Sequence, residues 1–85
     1  MYLHLGQDTL VKTDTVIGIF DLDNATVSKK TRDFLTRAEK DGKVVNVTYE
    51  LPKSFIVCND KGITKVYISQ ISSVTLLKRF EAAII

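Results

Sequence analysis

Eighty-five residues suffice for one compact domain and not for two, and a formal charge of +2 is too small to name a partner. A hydrophobic share of 45%, one Pro, four Gly and no Trp exclude a disordered segment, while the single cysteine, Cys58, excludes an intrachain disulfide. No run approaches the roughly 18 apolar residues of a membrane span and no basic-then-apolar leader opens the chain, so with its free thiol it is expected in the cytoplasm.

In chain order, Tyr2 to Leu5 and Thr9 to Lys12 read as two short strands around a Gly6-Gln7-Asp8 turn. The nearly continuous apolar run Val16 to Asp21 predicts a strand buried on both faces and central in its sheet. Asp23, Asn24 or Thr26 then offers an N-cap for a helix over about 26–41. Val27, Thr31, Phe34, Leu35 and Ala38 share one face of that helix, and Gly42 ends it. Lys43 to Tyr49 alternates, putting Val45, Val47 and Tyr49 on one face of a half-buried strand that Glu50-Leu51-Pro52-Lys53 breaks. Ser54 to Cys58 and Ile63 to Ile68 form a hairpin around Asn59 to Gly62. Ser72 or Ser73 caps a short C-terminal helix over about 73–81, with Lys78 and Arg79 near its end, where cations suit the helix dipole. With no repeat or linker, residues 1–85 form one α+β domain, a small and mostly antiparallel sheet carrying these two helices.

Chemistry is sparse. The four glycines are scattered and make no phosphate-binding loop, the lone His4 and Cys58 lack metal-ligand spacing, and no cofactor, metal or small-molecule substrate is expected. His4 and Cys58 would need a third, orienting group to act as a nucleophile pair. The apolar setting of Cys58 predicts a core thiol, so the chain is read as non-enzymatic.

Charge is uneven. Residues 1–42 hold 6 Lys/Arg against 7 Asp/Glu, and residues 43–85 hold 6 against 3. Lys29, Lys30 and Arg32 form the densest cationic cluster. It reads either as a solvated helix face with nearby acids or as a track for phosphates. A domain this small gains from association, and the apolar ending Ala82 to Ile85 together with open sheet edges predicts a homo-oligomer. Ile84, Ile85 and His4 are its candidate contacts.

The opening Met1 to Gly6, the strand Val16 to Asp21, Gly42 followed by Val44 to Tyr49, and the closing Ser69 to Arg79 together resemble the Rem family of bacterial extracellular matrix regulators, its B branch in particular. The resemblance covers nearly the whole chain. It implies a cytoplasmic regulator of genes for the biofilm matrix; in the related A branch it implies DNA binding and closed rings of identical subunits. There an arginine pair follows the Thr-Tyr of the sheet, whereas here Thr48-Tyr49 runs into Glu50-Leu51-Pro52-Lys53, and Asp14-Thr15 stands where the relative has a basic residue. Those arginines do not carry over. The candidate DNA contacts are therefore Lys53, Lys29, Lys30 and Arg32, and regulation through a protein partner without DNA contact is the competing reading.

Overall fold

The computed structural model describes residues 1–25 and 28–84. Its strands are β1 (Tyr2–Gly6), β2 (Thr9–Lys12), β3 (Val16–Asp21), β4 (Val44–Asn46), β5 (Ser54–Asp60) and β6 (Ile63–Ser69); its helices are α1 (Leu22–Ala25), α2 (Lys29–Lys40) and α3 (Ser73–Ile84). The α+β class holds, with a division the sequence reading lacks: among the described residues there are two sheets and a further, single-turn helix. β1 and β2 make a separate antiparallel hairpin, while β3-β5-β6-β4 make the main sheet. Among the described residues the β4–β6 pair alone is parallel.

The ends of the elements follow local chemistry. Gly42 stops α2 at φ +70, and the Gly42 and Lys43 amides donate back to the Glu39 and Ala38 carbonyls, satisfying the last turn. The Ser72 hydroxyl accepts from the Thr75 amide at 3.2 Å, so Ser72 caps α3. Asp21 does the same for the Asn24 amide at 3.1 Å. Ser28, and neither Asp23 nor Asn24, occupies the cap position of α2, and its side chain makes no capping bond. Thr26 and Val27 lie outside the described residues. α3 runs beyond the expected boundary at 81, which leaves Lys78 and Arg79 in mid-helix rather than at the dipole's negative end. Arg79 instead donates to the His4 carbonyl at 3.3 Å.

Each face of the main sheet carries its own core. Ile56 and Cys58 of β5 pack with Leu3, Leu5, Val11, Val47 and Leu76 beneath the β1–β2 hairpin and α3. Phe55 and Val57 of β5 and Val66 of β6 pack with Ala38 beneath α2, with Leu22 and Leu35 alongside. β5 alternates between these two cores, which explains why Ser54 to Cys58 are all buried. Burying a polar group is tolerated only when it is bonded. The Ser54 hydroxyl donates to the Ile71 carbonyl at 2.7 Å, and that of Ser69 to the Leu5 carbonyl at 2.6 Å, the second bond tying the hairpin to the sheet.

Two expectations fail here. β3 is an edge strand, not a central one, and Ile17 is 66% exposed; the buried central position belongs to β5. The strand expected from Lys43 to Tyr49 ends at Asn46; Val47 still donates to the Ile68 carbonyl, and the chain then passes the end of β6 to the start of β5. Val47 stays in the core, but Tyr49 is fully exposed.

Gly18 shows why β3 keeps its shape. A β-carbon there would lie 2.6 Å from the ring of Phe20, and that ring is stacked on Phe55 at 4.9 Å and 18°. Gly18→Ala is expected to push the Phe20 ring off Phe55 and cost about 1–3 kcal/mol, measurable as a lower urea midpoint. An unchanged midpoint would show that the ring moves freely.

Candidate nucleic-acid interface

Three of the four candidate cations, Lys29, Lys30 and Arg32, are neighbours in the chain, and the fourth, Lys53, stands on the connection into β5. The Lys53 amide donates to the Ser69 carbonyl and its own carbonyl accepts from the Leu22 amide, both at 2.9 Å. Lys53 is thus held where β6 ends, β5 begins and α1 starts. Ser28 follows Ala25 by three residues, so the first turn of α2 begins within about 11 Å of the end of α1. Lys29, Lys30 and Arg32 are all exposed in that turn or just beyond it, and Lys53 is exposed as well.

The electrostatics of this end are unusual for a helix start. The first turn of α2 contains no acidic residue and two lysines, although the positive pole of the helix dipole disfavours cations there by about 0.3–1 kcal/mol each. An anion on the free amides would reverse that term. Asp21 and Asp23 sit close by in sequence, the former engaged in capping α1.

The crossing segment between β4 and β5 presents a different chemistry. The buried Thr48 accepts from the Glu50 amide through its hydroxyl at 3.0 Å, turning the backbone outward. Tyr49 and Leu51, the latter 83% exposed, therefore project on either side of exposed Glu50.

Of the expected self-association contacts, His4 lies within the described residues. His4 is exposed between the buried Leu3 and Leu5, its Nε2 2.7 Å from the Gln7 carbonyl oxygen. Ile84 closes α3, but its side chain and the whole of Ile85 lie outside the described residues. Exposed apolar side chains occur elsewhere: Ile17 and Phe20 on β3 with Phe34 on α2, Leu10 and Ile63 near the hairpin ends, and Val74 and Leu77 on α3. Ile17, Phe20, Phe34 and Thr31 line a shallow groove of about 200 Å³ floored by Phe55 and Val57. Phe34, on the apolar face that the periodicity predicts, is thus only partly covered.

Cys58 and His4 do not meet as a nucleophile pair. Cys58 is 5% exposed in the core under the hairpin, whereas His4 points away from that core. Burial pushes the thiol above its ordinary range, partly offset by a hydrogen bond with the Thr15 hydroxyl. Modification by a thiol reagent at neutral pH is accordingly expected to be slow in the native protein and fast in urea. Because the folded thiol ionises at higher pH than the unfolded one, its contribution to stability is complete below the unfolded value and disappears as pH rises through the folded one. Rapid native labelling would contradict this placement. Among the described residues no group of three His, Cys, Asp or Glu could hold a metal, and no helix is long and apolar enough to cross a membrane.

Residues 2–80 match the family model described as RemA-like, extracellular matrix regulatory protein A-like. The chain is also 39% identical over 79 residues to extracellular matrix regulatory protein B of Bacillus subtilis (strain 168), an alignment spanning 93% of this chain and 89% of that protein.

Proposed function

The chain belongs to the RemA-like family of extracellular matrix regulatory proteins, and from this membership we propose that it is a cytoplasmic, self-associating regulator of extracellular-matrix gene expression that contacts DNA. The observation that carries the DNA reading is the exposed first turn of α2, which holds Lys29 and Lys30 and no acid, together with an exposed Lys53 fixed at the start of β5. A phosphate placed there gains from the lysines, the open amides and the dipole together. One such end is a weak site. Repeating it around an assembly multiplies the contacts, so the oligomer is the binding species.

The chemistry suits backbone contact more than base reading. Lysine meets phosphate as a point charge, and the cluster contains no Asn or Gln to address adenine. Sequence preference should be low and follow DNA shape. A gel-shift titration of the purified oligomer at about 50 and 200 mM salt tests the proposal, since each neutralised phosphate steepens the salt dependence. Absence of any shift at the lower salt would remove direct DNA contact.

A second reading has its own support. Tyr49 and Leu51 project from the crossing segment around Glu50, and an apolar pair with an acid between them fits a protein surface better than a phosphate backbone. In that reading the chain regulates through a protein partner.

A further inference from the structure

Both edges of the main sheet are open, and they point the same way. β3 and β4 each have one neighbour among the described strands. β3 runs antiparallel to β5, β5 antiparallel to β6, and β4 parallel to β6, so β3 and β4 share one direction. An open edge carries a row of amide and carbonyl groups whose natural partner is another strand. β3 lacks the devices that blunt such an edge: it contains no Pro and no Lys or Arg, and its one charge is the terminal Asp21.

Resting on the self-association reading above, we propose that the copies join head to tail, the β3 edge of one subunit lying beside the β4 edge of the next as a parallel pair. The flanking charges select this arrangement. In a parallel pair the segment before β3 lies beside the segment before β4, which brings exposed Asp14 alongside exposed Lys43. Neither residue has an ion-pair partner among the described residues, and the Lys43 carbonyl already anchors its backbone to the Val66 amide at 2.9 Å. The alternative, two β3 edges meeting antiparallel about a two-fold axis, sets Asp14 of one copy near Asp21 and Asp23 of the other and is opposed by like charge. A contact between two different edges is heterologous: it closes as a ring when its rotation permits and otherwise propagates. The grooves beside the edges agree, because α2 leaves apolar Ile17, Phe20 and Phe34 open on the β3 side and Val44 and Asn46 open on the β4 side.

The experiment is a charge exchange read by mass in solution across a dilution series. Asp14→Lys alone and Lys43→Asp alone are each expected to raise the concentration needed for assembly roughly fivefold, the size of an exposed ion pair converted to a repulsion. The double variant Asp14→Lys with Lys43→Asp restores the opposite charges at every contact and should return assembly close to the parent's. Both positions are exposed, so the variants fold, and a circular-dichroism spectrum matching the parent confirms it. Lys53→Glu, at the other end of the strands, is the control and should leave the mass unchanged. Assembly of the parent with no response to either single variant, or failure of the double variant to recover, overturns the edge pairing while self-association stands. Tighter assembly of Asp14→Lys would identify the two-fold β3 contact in its place. A parent that stays monomeric at micromolar concentration overturns both.

Discussion

Phe55→Ala is expected to lower the unfolding free energy by about 3–5 kcal/mol, the range for removing a buried aromatic side chain. Phe55 is 2% exposed on β5, and it belongs to the core beneath α2 together with Ala38, Val57 and Val66. Its ring also supports the stacked ring of Phe20 on the edge strand. The loss therefore opens a hole in one core and removes the floor of the groove beside β3 at once. A domain of this size has a total stability of only about 4–13 kcal/mol, so the variant should be largely unfolded at modest urea concentration. The measurement is a denaturation midpoint with its slope. A loss below about 1.5 kcal/mol would show that Phe20 and Phe34 collapse into the space, and that the groove is a soft surface and not a built one.

The same strand shows how far the sequence could be read. Val16 to Asp21 and Ser54 to Cys58 are both apolar runs, and local pattern cannot say which is central, since pairing partners are set by segments far away in the chain. Burial decides it after folding: β5 alternates between two filled cores, while β3 leaves Ile17 and Phe20 facing solvent. Stops and caps were legible because they depend on a few neighbouring residues. Gly42 ends α2 because, without a β-carbon, it takes φ +70, Ser72 starts α3 through its capping hydroxyl, and Lys61-Gly62 makes the β5–β6 turn with positive φ at both residues. The end of α3 was misjudged because Lys78-Arg79 resembles a closing cationic turn, although Ala82-Ala83 continues the helix well. The candidate interface was half legible. The lysine cluster stands out in the chain, but the place of Lys53 at the start of β5 is set by the Leu22–Lys53 and Lys53–Ser69 hydrogen bonds, which no local pattern announces. Neither the open β4 edge nor the outward turn at Tyr49 has a local signature.

Reversing the charges at Lys29, Lys30 and Lys53 to Glu in one chain is expected to abolish DNA retention at about 50 mM salt while leaving the assembled mass unchanged. Each phosphate contact steepens the dependence of log affinity on log salt by about 0.9. Three lost lysines therefore remove about 2.7 from that slope for every subunit engaged, and three acids add repulsion. Lys53→Glu alone should weaken binding by a similar factor on duplexes of unrelated sequence, because a phosphate contact carries no base information. Arg32 is reserved for a separate Arg32→Gln test, since its side chain stands one turn into α2 and does not share the open amides of the helix start. The discriminating quantity is the slope, not the affinity. If the triple variant binds more weakly but keeps the parent's slope, the lysines act indirectly and the phosphates are met elsewhere on the assembly. If the parent itself shows no salt-dependent binding, the exposed Tyr49 and Leu51 become the surface to test, and Tyr49→Ala with Leu51→Ala should then abolish regulation in cells without changing stability, as expected for fully solvated side chains that touch no core.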